Sequence, residues 1–224
     1  IEVRMRQDAW LPIDARLHAA TGPTVRGVLE DLSARGELNF RSVLRRDSLA
    51  QKELSKDTVI FVRKGGLKYD RFPYPLQDVT GKLHVTDSEF RFEDIEGFND
   101  SCVVTCEGTW HVQGPDSGLL QLNLAARDIP CDTELRKALP AGPREIWRDL
   151  RPAGTIDHAS IDIKHQTGMS RPKIGVVVTQ LRREDEPDGR SLEMKPSWFP
   201  LSMERVTGSF KFSPNGEFRL KDIQ

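Results

Sequence analysis

The side chains that could perform chemistry are few and poorly spaced for it. The chain has 224 residues, and its five histidines are scattered along the whole length. None of them has a second ligand at the spacing of a zinc motif such as H-x₃-H or H-E-x-x-H. The histidines are His18, His84, His111, His158 and His165.

Asp157, His158 and Ser160 are the three residue types of a serine-hydrolase triad. They lie in a predicted strand, where neighbouring side chains point to opposite faces and cannot form a triad. The glycines match neither a dinucleotide-binding nor a phosphate-binding loop. We therefore expect a protein that is not an enzyme and that holds no cofactor and no metal ion.

The three cysteines do not predict a disulfide framework. Cys102 and Cys106 are four residues apart on a predicted strand, which separates them by about 13 Å. That distance is too long for a disulfide. We interpret these two residues and Cys131 as small core or groove-lining residues.

Composition excludes some classes of partner. The net charge is −1, with 33 basic and 34 acidic residues interspersed, so no nucleic-acid footprint is expected. No apolar run approaches the roughly 18 residues of a spanning helix, and no signal peptide is present. The chain begins inside an alternating strand, so we expect a fragment of a longer protein whose membrane anchor lies outside it.

The chain nearly repeats itself. Residues 72–95 and 199–223 share an alternating pattern with a turn in the middle, which predicts a duplicated β-hairpin. Residues 11–38 also align without a gap onto residues 129–156. We predict two β-groove repeats in one continuous sheet, residues 1–118 and a truncated second repeat at 119–224.

Each predicted repeat has about six strands and one broken helix. Asp14 and Asp132 occupy helix N-cap positions, and Pro23 and Pro140 interrupt the helical segments. An apolar stripe predicts a helix that covers part of a sheet; it consists of Val25, Val28, Leu29 and Leu32. Residues 45–57 are a predicted surface loop, and turns are predicted at Gly65-Gly66 and at residues 187–189.

We therefore expect a mainly β fold, a strongly curved antiparallel meander whose apolar face forms a groove. A sheet of a dozen strands is about 50 Å wide, and two short helical segments cover only part of it. The alternative is a closed core in which the helices form a lid. The predicted groove-lining residues are Phe40, Leu83, Val85, Phe90, Phe92, Leu120, Leu122, Leu124, Ile161, Ile163, Phe210, Phe212, Phe218 and Leu220.

The motif Phe-Pro-Tyr-x-Leu-x-x-Val-x-Gly-x-Leu at residues 72–83, with the aromatic return strand after it, resembles the AsmA-like proteins of the bacterial envelope. The resemblance implies a repeating β-groove that is tethered to the inner membrane, lies in the periplasm and moves phospholipid toward the outer membrane. It carries no catalytic residue. The alternative function is a structural or protein-interaction module with a closed core, whose envelope partners bind the sheet edges.

Two further side-chain sets have open interpretations. Arg91 and Arg219 recur beside Asp94 and Asp222, which favours cross-strand ion pairs on the wet face over headgroup contacts. Trp198 precedes the repeated Phe-Pro and is a candidate for a groove rim, whereas Trp147 is predicted to lie in the core.

Overall fold

A computed structural model describes residues 1–6, 8–46, 54–114, 117–181 and 191–224. Strands account for 58% of the residues and helices for 14%, which confirms the mainly β class. Most of the predicted loop at 45–57 and the whole predicted turn at 187–189 lie outside the described residues.

Twelve strands form one open antiparallel sheet, and a separate pair of short strands forms a second. The strands are β1 (Glu2–Arg4), β2 (Leu11–Pro12), β3 (Arg35–Arg45), β4 (Ser55–Tyr69), β5 (Phe72–Thr86), β6 (Glu89–Asn99), β7 (Cys102–Gly114), β8 (Ser117–Pro130), β9 (Pro152–Ala153), β10 (Thr155–Gln166), β11 (Lys173–Gln180), β12 (Glu193–Met194), β13 (Gly208–Phe212) and β14 (Phe218–Lys221).

The order of strands across the large sheet follows the chain, as predicted for a meander. From β3 onward each strand pairs with the next one, except that the small β9–β12 pair lies outside the sheet. β1 and β2 both pair with β3 at one edge, and β14 forms the other. The predicted boundary at residue 118 falls inside β8, so both predicted repeats belong to this sheet.

The described part of the chain has four short helices, which lie between strands in two pairs. In the first pair the side chain of Asp14 accepts hydrogen bonds from the backbone of Arg16 and Leu17, at 2.9 and 3.1 Å. In the second pair Asp132 accepts one from Leu135 at 2.7 Å. Both predicted N-caps are therefore confirmed. The helices are α1 (Ala15–Ala20), α2 (Pro23–Asp31), α3 (Thr133–Ala138) and α4 (Ala141–Leu150).

The predicted turn at Gly65-Gly66 is wrong. β4 runs through both glycines and the chain reverses at Asp70 and Arg71. Gly65 is needed for close approach of two strands, because a Cβ there would lie 2.8 Å from the Cβ of Val79 on β5. The register between β4 and β5 shifts at this point, which is typical of a β-bulge.

Two other expectations need correction. Residues 199–206 contain no strand, although their counterparts 72–79 begin β5, so only the second half of the repeated hairpin is regular. The apolar stripe of α2 does not cover the sheet through Val25 and Val28, since both side chains are exposed. Helical periodicity alone does not specify what a short helix packs against.

The buried core lies at the helical end of the sheet and consists of two clusters. In the first, Leu135 and Ala138 of α3 pack with Tyr74 of β5 and with apolar residues of β7, β8 and β10, and Trp147 lies against them as predicted. In the second, Leu192, Met194 and Val206 pack with Phe210 of β13. The opposite end of the sheet, where turns join β5 to β6 and β13 to β14, contributes to neither cluster.

Candidate functional site

The pairing register places all fourteen predicted lining residues on one face of the sheet. Directly opposed residues of an antiparallel pair share a face, and so do residues two apart along a strand. We call this side the apolar face. Its first row crosses eight strands and consists of Phe40, Ile60, Leu83, Phe92, Gly108, Leu122, Ile163 and Ile174.

A second row lies two residues nearer to the turns and is less uniformly apolar. It consists of Val3, Ser42, Thr58, Val85, Phe90, Trp110, Leu120 and His165. The other six predicted lining residues lie toward the helices, in a third row and a fourth row. The third holds Leu124, Ile161, Phe212 and Phe218, and the fourth holds Phe210 and Leu220.

The rows differ in what lies over them. Within the described ranges, no residue of the first two rows belongs to either buried cluster or packs against one. Among the predicted lining residues, Phe210 is a member of the second cluster, and Leu124 and Phe218 pack against a cluster. We call the first two rows the open rows. Their predicted lining residues are half-buried, as neighbours within one sheet shield each other's sides.

The opposite face is polar. His84 lies 2.7 Å from Asp57, and Lys82 lies 2.7 Å from Asp94, both across neighbouring strands. Arg91 pairs with Glu89 on its own strand at 2.7 Å, and not across strands as predicted. Exposed pairs of this kind add little stability, but they keep this face in water.

Arg219 repeats the arrangement of Arg91 at the far edge of the sheet. It binds Glu217, two residues earlier, at 2.8 Å. The hydrogen bond from this guanidinium lowers the pKa of the Glu217 carboxyl. Both arginines therefore have carboxylate partners on the polar side of the sheet.

A few polar atoms interrupt the second row. The hydroxyls of Ser42 and Thr58 lie 2.7 Å apart and bond to each other. The Nδ1 atom of His165 is buried and has no hydrogen-bond partner among the described residues. A buried polar atom without a partner is costly, so a polar ligand group at this end would gain a place to bind.

One set of chemically capable residues has a structural role. Asp157 is buried, and its carboxylate accepts a hydrogen bond from the backbone of Leu181 at 2.8 Å. Gln180 in turn accepts one from the backbone of Asp157 at 2.9 Å, so the pair fastens β10 to β11. The described residues contain no cluster of histidine, cysteine and carboxylate side chains that could hold a metal ion.

Cys106 lies on the apolar face, opposite Leu124, and burial raises the pKa of its thiol to about 11. The thiolate is the reactive form. We expect the alkylation rate of Cys106 to rise about tenfold per pH unit from neutral pH up to about 11, as measured by peptide mass mapping of the intact protein. Bound lipid should slow alkylation at every pH. A rate that levels off near the ordinary thiol pKa would show that this part of the face is freely solvated.

Some residues of the face were missed from the sequence. Ile60, Ile95, Trp110, Ile174 and Val176 share it with the predicted lining residues. The alternation of side chains along β4, β7 and β11 places all of these residues except Ile95 on the apolar face. Ile95 is out of phase with Phe92, because a bulge at Asp94, whose φ is 51°, shifts the register between β6 and β7.

The described residues thus define a mainly β protein built on one open meander sheet, with one apolar and one polar face. No protein-family model, no curated protein and no solved structure matches the chain. None of the described helices is long and apolar enough to cross a membrane.

Proposed function

We propose that the chain is a non-enzymatic segment of an AsmA-like protein that binds phospholipid acyl chains on the open rows and conducts them between the two membranes of the envelope. The observation that carries this proposal is the pair of rows that crosses eight strands and is covered by neither buried cluster. Contiguous apolar surface of this size is uncommon unless it binds something. The periplasmic location and a tether to the inner membrane belong to the same proposal.

The dimensions of the open rows suit an acyl chain. Seven spacings between eight strands, at about 4.8 Å each, make the first row roughly 34 Å long. The hydrocarbon core of a bilayer is about 30 Å thick and holds two tails end to end. One tail would therefore lie within the row, with about 0.8 kcal/mol of stabilisation for each buried CH₂ group.

A curved sheet would turn this face into a groove. In support, the register shifts at several pairings in the first part of the sheet, namely β3–β4, β4–β5, β5–β6 and β6–β7. Each shift is a β-bulge or irregularity, and bulges bend a strand and increase its twist. We propose that the bend is toward the apolar face.

Repetition of the unit would extend the groove along a longer protein. In support, hydrogen bonds recur at matching positions of the two predicted repeats. The backbone of Ile13 donates to Gly36 at 2.8 Å, and that of Cys131 donates to Gly154 at 2.8 Å. Arg26 and Arg144 each donate to backbone carbonyls at the end of the preceding short helix.

The polar atoms of the second row give the lipid an orientation. A headgroup would lie at the end of the sheet away from the helices, beside His165 on β10, and the tail would extend along the first row toward β3. The covered helical end offers no such polar atoms on the fourth row, whose central residues are Val104, Ala126, Ala159 and Val178.

The test is lipid analysis of the gently purified chain. We expect phospholipid to be detected by mass spectrometry, and the delipidated protein to take up a fluorescent fatty acid that phospholipid displaces. A lipid-free preparation that also fails to take up the probe would contradict the proposal. It would favour the closed-core interaction module instead.

A further inference from the structure

A second apolar surface lies near the C-terminal edge of the sheet. Trp198, Phe199 and Leu201 are close in sequence and exposed, Trp198 to 67% and Leu201 to 64%. The loop is held at its base, because the backbone of Ser197 donates to Asp149 at 2.8 Å and that of Lys195 donates to Leu150 at 3.0 Å. These residues, called the 198–201 surface, are therefore presented in a fixed position and not as a frayed end.

The sequence counterpart of this surface is covered. Phe72 aligns with Phe199, and Tyr74 aligns with Leu201. Tyr74 is 7% exposed and packs in the first cluster with Leu135 and Ala138 of α3. The chain thus shows what fits such a surface, namely a short helix with an aspartate cap that presents a leucine and an alanine three residues apart.

α1 is a second helix of this kind, but in the described part of the chain it makes no contact like that of α3 with Tyr74. α1 aligns with α3, so that Asp14, Leu17 and Ala20 correspond to Asp132, Leu135 and Ala138. Ala138 is 2% exposed, whereas Ala20 is exposed and α1 contains no buried residue. Within one chain, α1 and the 198–201 surface lie near opposite edges of the sheet.

We propose that α1 of a second copy docks on the 198–201 surface of the first, as α3 docks on β5 inside the chain. This inference rests on the proposed duplication but not on lipid binding. The same contact is available again at the free end of each added copy, so it generates an open head-to-tail series. By the same correspondence β14 and β1 would run parallel with the width of one strand between them, since β6 and β8, their sequence counterparts, run parallel on either side of β7.

Sedimentation velocity without added lipid tests the proposal. We expect the native chain to associate as its concentration rises. Ala20→Glu disrupts α1, the helix that docks, and Leu201→Glu disrupts the 198–201 surface that receives it. Both residues are exposed, so the fold can tolerate each substitution. Either variant alone should be monomeric, with association at least tenfold weaker, and an equimolar mixture of the two should restore a heterodimer that does not grow. Ala19→Glu, whose counterpart Lys137 is exposed, is the matched control and should associate normally.

Two outcomes would overturn the proposal. One is a native chain that stays monomeric at every concentration. If Leu201→Glu then abolishes binding to phospholipid vesicles, the 198–201 surface faces a membrane and not a second copy. The other is association that both variants retain. Lipid uptake, measured separately on the same variants, would be unaffected, so failure here is distinct from failure of the proposed function.

Discussion

Phe92→Asp is expected to abolish acyl-chain uptake while leaving the sheet folded. Phe92 is half-buried in the middle of the first open row, between Leu83 and Gly108 on the neighbouring strands. Burying the new carboxylate under a lipid tail would be very costly, and the apolar contact of the ring is lost as well. Because no cluster packs over this position, the carboxylate remains in water when lipid is absent. We expect fatty-acid affinity to fall at least tenfold, as measured by fluorescence titration.

Phe61→Asp is the matched control for that variant. Phe61 lies on the polar face, opposite Asn39 and Lys82, and its side chain is exposed. The same exchange there should leave the affinity for the fatty acid unchanged. If both variants bind lipid equally well, the apolar face is not the binding surface. If Phe92→Asp unfolds the protein and Phe61→Asp does not, the first row belongs to a closed core.

Leu192→Ala is expected to lower the free energy of unfolding by about 2–5 kcal/mol, the usual cost of a cavity at a fully buried leucine. Leu192 is 1% exposed in the second cluster. Leu122→Ala removes the same atoms from the first open row and should cost roughly 1 kcal/mol, because the leucine there loses fewer contacts. Urea denaturation of the delipidated proteins measures both.

Adding phospholipid gives the decisive comparison between the two leucines. A ligand that binds only the folded state stabilises it in proportion to its affinity. Lipid should therefore stabilise Leu192→Ala as much as the native chain, and Leu122→Ala less. Equal costs for the two variants without lipid would indicate that Leu122 is as well covered as Leu192.

The sequence was sufficient to predict the class of fold, the order of the strands and the face that each lining residue occupies, because alternation and short turns determine these locally. Asp14 and Asp132 were recognised as helix caps for the same reason. The connection predicted at 45–57 is shorter than expected, because β3 continues to Arg45 and β4 begins at Ser55.

Other features depend on contacts between distant segments. Gly65-Gly66 looks like a turn, but the close approach of Val79 requires small residues inside a strand. Residues 199–206 resemble 72–79 in sequence, yet they do not form a strand, and Val206 packs with Leu192 and Met194. Whether α2 covers the sheet likewise depends on packing that its periodicity does not encode. Coverage of the apolar face, which decides the candidate site, is therefore the part least accessible from sequence.

The order of the strands also bears on how the chain folds. Since nearly every strand pairs with its neighbour along the chain, most contacts close short loops, and contact order is low for a β protein of this size. Assembly can begin at one hairpin and spread in either direction, as in solenoid proteins. We expect local unfolding to begin at the edges of the sheet, so that amide protons exchange first in β1 and β14 and last in the central strands. A protein made in this manner can acquire structure progressively while it emerges from a ribosome or a translocation pore.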